Sequence, residues 1–183
     1  MRIFPYMIAT GLLAVMLAGC GGEKKNDNII TLKTEKKGPA APIRMQDYTQ
    51  SKDIEWLGST YTCEIRRTAD DSLAMVKDES GQQFVDNRIS LEIIRSDGST
   101  FFKKVFTKAD FESNITDDYN RTGILEGLVF DKTDGQSLLF AASVSHPQTD
   151  EYIPLIVSVS RTGGITVSKD TQLDTSAEDD EDI

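Results

Sequence analysis

Apolar residues in this chain recur at every second position in short runs, and the gaps between the runs carry turn chemistry. Ile89, Leu91 and Ile93 alternate with Ser90 and Glu92; Leu138, Phe140, Ala142 and Val144 share one face of a run from Ser137 to Ser145; Ile153, Leu155, Val157 and Val159 share one face of the next. A period of two puts alternate side chains on opposite faces of an extended strand, one buried and one wet. Between the runs lie Ser96-Asp97-Gly98-Ser99, Asp131-Lys132-Thr133-Asp134-Gly135 and Arg161-Thr162-Gly163-Gly164, whose glycines supply the positive φ of tight hairpins. The return from the first turn, Thr100 to Phe106, also fits helical spacing through Phe101, Phe102, Val105 and Phe106. Its aromatic content and the turn before it favour a strand. Ile124 to Phe130 opens a second hairpin, and Ile165 with Val167 closes a third.

Less regular segments at Asp53 to Trp56, Leu73 to Val76 and Gln82 to Asp86 bring the expectation to about eight to ten strands. The predicted fold is all-β, an antiparallel meander forming a barrel or a two-sheet sandwich. Thr107 with Asp110 three residues later is a capping pair, which predicts one short helical turn over Lys108 to Ser113, followed by a polar loop from Asn114 to Arg121.

The ends read differently. Arg2 precedes an apolar run from Met7 to Leu17, and Leu17-Ala18-Gly19-Cys20 follows with small residues before a cysteine. This is the pattern of a bacterial lipoprotein signal, residues 1–19, with Cys20 as the lipid acceptor. Buried acyl chains contribute about 0.8 kcal/mol per methylene, so attachment would come from lipid rather than from a protein span. Gly21 rather than Asp follows Cys20, which favours the outer membrane; the periplasmic and surface faces stay open. Residues 20–47 are polar and aperiodic, as a flexible tether is, and 48–172 is the extent of one β domain. The acidic stretch within 173–183 has little to bury and predicts a disordered tail.

A formal charge of −10 argues against nucleic acid as a partner. With Cys20 assigned to lipid, Cys63 has no disulfide mate, and its place between Tyr61 and Ile65 on one strand face predicts a buried small hydrophobe. The single histidine, His146, ends a predicted strand and reads as a surface or loop residue; zinc chemistry has no ligand cluster to work with. No cofactor motif occurs, and Gly163-Gly164 lacks the lysine and helix of a phosphate loop. Asp70, Asp71, Asp86, Asp117 and Asp118 could serve calcium or hydrolytic chemistry, but turn formation accounts for them more simply. Asp71-Ser72-Leu73 is a candidate O-glycosylation signal with Ser72 as acceptor, and Asn114 and Asn120 head N-linked sequons of little meaning in a bacterium. Trp56, beside Leu57 and two residues from Ile54, is read as core rather than as a stacking platform.

Asp70-Asp71-Ser72-Leu73, Phe84-Val85-Asp86-Asn87-Arg88-Ile89, Phe106-Thr107-Lys108-Ala109-Asp110-Phe111, Gly123-Ile124-Leu125-Glu126-Gly127 and Ser145-His146-Pro147 together resemble an uncharacterised lipoprotein family of Bacteroides and its relatives. The resemblance spans most of residues 48–172. It implies export and a single domain of unknown function, and it brings no catalytic residue. The expected role is that of a lipid-anchored, noncatalytic module binding an envelope protein or a glycan. An apolar-ligand carrier with a barrel cavity is the alternative, and an Asp-based hydrolase a distant third.

Overall fold

The structure, a computed structural model, describes residues 40–171. The expected signal peptide, the expected lipid acceptor Cys20, the first part of the expected tether and the acidic tail lie outside the described residues. The described residues form ten strands: β1 Tyr48–Trp56, β2 Ser59–Ala69, β3 Val76–Lys77, β4 Gln83–Phe84, β5 Asn87–Arg95, β6 Thr100–Phe106, β7 Ile124–Asp134, β8 Ser137–Ser145, β9 Tyr152–Ser160 and β10 Ile165–Lys169. They form an antiparallel sheet in the order β1-β2-β5-β6, a second in the order β10-β9-β8-β7, and a β3–β4 ribbon. The sheets face each other as a sandwich and do not close into a barrel. Among the described residues no helix is long and apolar enough to cross a membrane.

The alternating residues face inward as expected. Ile89, Leu91 and Ile93 of β5, Leu138, Phe140 and Val144 of β8, and Leu155, Val157 and Val159 of β9 are all buried in one core with Phe106, Leu125 and Leu128. Trp56 is buried and meets Tyr61 and Phe101 edge to face, with centroids at 5.4 and 5.7 Å. Cys63 joins the same core at 1 % exposure. The capping pair opens a 3-10 helix, Lys108–Asn114, where the Asp110 carboxylate accepts the Thr107 backbone N–H at 2.8 Å. Phe111 of that helix drops fully into the core.

Four details depart from the sequence reading. The expected polar loop contains a helix, α1, Asp117–Thr122, because Thr116 caps it and Asp117 and Asp118 suit its N-terminal dipole. The expected strand at Leu73 to Val76 shrinks to β3, since the Asp70 carboxylate captures the Ser72 backbone N–H at 2.9 Å and turns the chain there. β7 runs on through Asp134 because a bulge between Phe130 and Lys132 absorbs Asp131, leaving Gly135 and Gln136 as the turn. Residues 41–47, within the span read as tether, lie against the domain: Ile43 bridges Phe84 in parallel, Gln82 holds the Ala41 carbonyl at 3.0 Å, and Met45 packs with Val76, Phe84 and Ile124.

The way the sheets meet follows from β7. Leu125 bonds Asp86 and Asn87 beside β5, Glu126 bonds Arg67 of β2, Leu128 bonds Tyr48 of β1, and Phe130 lies under Lys52 of β1. Three residues of strand rise about 10 Å, which matches two strand spacings of about 4.8 Å from β5 to β1. β7 therefore runs across strands of the other sheet, from β5 to β1. An edge strand's unpaired backbone groups invite aggregation. Here side chains take them: Asp86 accepts Leu125 N–H at 2.8 Å, Asn87 donates to Leu125 O at 2.9 Å, and the Tyr48 hydroxyl donates to Leu128 O at 2.8 Å.

Candidate functional site

The β8–β9 connection, His146 to Glu151, is a tight loop. His146 N–H donates to Glu151 O at 3.0 Å, and the Thr149 hydroxyl donates to His146 O at 3.0 Å. Pro147 fixes the second position of the turn, and Gln148 after it sits at φ +62°, a left-handed conformation costly for a residue with a Cβ. That strain is held at the lip of two hollows that share His146, Pro147, Gln148 and Thr149 as a common wall.

His146 is clamped from three sides. Its ring stacks on Tyr119 of α1 with centroids 4.0 Å apart and planes 14° from parallel. Its Nδ1 lies 3.0 Å from the Glu151 carboxylate, and its Nε2 lies 3.2 Å from that of Asp118. The two carboxylates flank opposite nitrogens and converge on no common point, and among the described residues no three His, Cys, Asp or Glu side chains are placed to hold a metal. Partial burial raises the Tyr119 hydroxyl above its ordinary pKa, helped by the charges of Glu151 and Asp118. α1 is positioned by Gly123, where a Cβ would stand 2.6 Å from Tyr119 O and 2.9 Å from Val144 Cγ1. Only glycine lets the helix end lie that close to β8.

The larger hollow has a volume of about 560 Å³ and gathers Asp78, Glu79, Ser80, Asp118, Thr122, Thr149 and Glu151 around His146. Its lining is rich in carboxylate and hydroxyl acceptors, which suit a ligand bearing hydrogen-bond donors. The smaller, of about 190 Å³, is apolar at its base through Ile43, Met45, Phe84 and Ile124.

A third hollow, about 430 Å³, ends on Asp86 and Lys108. Asp86 is buried; its Oδ1 accepts the N–H of both Asn87 and Leu125 at 2.8 Å, and its Oδ2 lies 3.7 Å from Lys108 Nζ, which donates to Gly123 O at 2.6 Å. Burial raises the Asp86 carboxyl against the opposing pull of those amides and of Lys108, and burial lowers Lys108 against the pull of Asp86. Such a pair in a cleft is what catalytic acids and bases look like. Here one Asp86 oxygen is engaged by the backbone of β5 and of the edge strand β7 and the other faces Lys108, so the pair ties the two sheets together.

The other sequence candidates scatter. Asp70 pairs with Arg88 and caps the turn at Ser72, Asp71 pairs with Arg44, and Asp117 stands exposed on α1. Ser72 is exposed, its hydroxyl donating to Asp70 at 2.7 Å. Cys63 has its thiol pushed up to about 12, by burial first and against the charge of Lys52. Of the residues weighed from sequence, the fold brings Asp118 and His146 together; Tyr119, Glu151 and Gln148 carried no local signal, since three separate segments build the site.

A protein-family comparison bears on this arrangement. The model of a family described as Domain of unknown function (DUF4738) matches residues 26–167. The chain belongs to DUF4738. No curated protein matches it. The DUF4738 span covers the whole sandwich as far as Val167 of β10, including the residues from 41 to 47 that dock on β4.

Proposed function

We propose that this DUF4738 protein is a lipid-anchored component of a bacterial cell envelope, held through Cys20 at the outer membrane, and that its sandwich is a noncatalytic binding module. The observation that carries the binding role is the His146 hollow, a concave site of about 560 Å³ whose lining converges polar groups from three segments on one clamped imidazole. Its acceptors match the hydroxyls of a glycan or the amides and amines of a protein segment. The anchoring role rests on the lipobox, Leu17 to Cys20. Ser72, exposed at its turn in Asp71-Ser72-Leu73, is the proposed O-glycan acceptor.

Two experiments test the reading. Cys20→Ala should release the protein from the envelope fraction and remove the acyl mass from the mature chain; full retention overturns the anchor. A photo-crosslinking residue at Gln148 should capture a discrete adduct in intact cells that one at Lys103, on the outward face of the other sheet, does not. Equal labelling at the two positions removes the hollow as the binding site.

A further inference from the structure

The two hollows beside the β8–β9 connection share a wall, His146 to Thr149, and differ in chemistry. Asp78, Glu79, Asp118 and Glu151 line the larger one, and among the described residues no lysine or arginine does. Asp78 is turned to its own loop, where its Oδ1 accepts the Ser80 hydroxyl at 2.7 Å and the Gln82 N–H at 2.9 Å. Asp118 Oδ1 meets Arg121 at 3.4 Å on the exposed side of α1. Its Oδ2 lies 3.2 Å from the buried Nε2 of His146, yet no hydrogen bond joins them. That carboxylate oxygen takes no proton from the ring and keeps its capacity for a donor in the hollow.

Resting on the reading of the His146 hollow as a binding site, we infer that it takes a basic side chain, lysine or arginine, on an extended segment of a protein partner, and that the smaller hollow takes an apolar side chain of the same segment. Charge selects the first group. A concave wall of four carboxylates on a chain of net charge −10 concentrates cations and steers them inward. A neutral sugar would desolvate those carboxylates without a counter-charge. It would also want an aromatic face, and the one aromatic ring in the lining is His146, one side of which Tyr119 covers at 4.0 Å. A divalent metal needs carboxylates that converge, whereas those of Asp118 and Glu151 flank opposite ring nitrogens. The spread charge suits an organic cation instead. The smaller hollow selects the second group: Ile43, Met45, Phe84 and Ile124 form an apolar base that a free amine would leave unused. Side chains two positions apart in an extended segment leave the same face about 7 Å from each other, so such a pair can straddle the loop wall.

Fluorescence anisotropy with the full-length chain in a nonionic detergent tests this. The probe is a capped, labelled heptapeptide carrying lysine and leucine two positions apart among glycine and serine. Binding should saturate, acetylation of the lysine should weaken it about tenfold or more, and serine in place of the leucine should weaken it about tenfold. Glu79→Lys, at an exposed lining position, should weaken it about tenfold. Glu64→Lys, exposed on the other sheet, makes the same change in net charge and should bind as the native chain does. Both variants should keep the native far-UV circular dichroism. A peptide that does not bind, equal binding of its acetylated form, or equal weakening by Glu79→Lys and Glu64→Lys overturns the proposal. With the photo-crosslinking residue at Gln148, capture of maltoheptaose in place of the peptide overturns the ligand class and keeps the hollow as a binding site. Equal capture of the peptide at Gln148 and Lys103 removes the hollow itself.

Discussion

Asp86 offers the sharpest test of how this sandwich is joined. Its Oδ1 is the shared acceptor of two buried backbone N–H groups, Asn87 at the head of β5 and Leu125 on the edge of β7, while its Oδ2 faces Lys108. Asp86→Ala strands both amides, each costing about 1–3 kcal/mol when buried without a partner. It also removes the counter-charge of a largely buried lysine, and breaking such a pair costs about 3–5 kcal/mol in comparable sites. The two contributions overlap, so the expected loss is about 3–5 kcal/mol. Asp86→Asn removes the same counter-charge but keeps a carbonyl oxygen where both N–H groups point, so it should lose less than Asp86→Ala by about 1–3 kcal/mol.

Urea unfolding gives the two values, and hydrogen exchange at the Leu125 amide should show lost protection in the alanine variant alone. Equal losses in the two variants would refute the acceptor role and leave the charge pair as the cause. The pH dependence has a definite sign. Burial raises the folded pKa of Asp86, so between the ordinary carboxylate range near 4 and that raised value the native state holds more protons than the unfolded chain. The contribution of this group is fully present below the unfolded pKa and is lost as pH rises through the folded one. The stability of the native chain minus that of Asp86→Asn should therefore fall across that window; a difference flat in pH contradicts the burial argument.

Three further outcomes are expected. Leu57 occupies the first of two positive-φ positions in the β1–β2 turn, at φ +54° before Gly58, and is 54 % exposed, so Leu57→Asn should raise stability by about 1 kcal/mol, read as a higher melting temperature; a decrease would show that Leu57 has packing worth more than its strain. Gly123→Ala should cost about 1–3 kcal/mol in urea, since the atoms its Cβ meets include the Tyr119 carbonyl oxygen at 2.6 Å, and an unchanged midpoint would mean α1 is free to shift. In a Cys20→Ala background, Cys63, with its thiol pushed up to about 12, should resist a disulfide reagent at neutral pH until denaturant is added; rapid labelling of the native chain would show that β2 opens locally.

How far the fold could be read depended on the range of the interaction involved. The Thr107–Asp110 pair announced the 3-10 helix because both partners lie within one turn. α1 carries a comparable signal in Thr116, Asp117 and Asp118, but its six residues lack an apolar stripe, so their polarity alone points to a loop. The turn residues Asp131 to Gly135 suggested a five-residue connection because a bulge, which adds a residue to one strand only, shows itself only once β8 is paired. The His146 site was the least legible. Its histidine is conspicuous, but Tyr119 and Glu151 gain meaning only from the stack and the hydrogen bond that folding brings together.

By itself the chain determined an all-β domain and which side of each long strand is buried, since an alternation of apolar and polar residues has one extended solution that keeps the apolar set from water. The tertiary structure alone decided which strands share a sheet, the run of β7 across the other sheet from β5 to β1 and the use of Asp86, Asn87 and Tyr48 to close its free edge. A period of two names the buried face without naming what it will meet, and backbone groups on an edge carry no side-chain pattern at all.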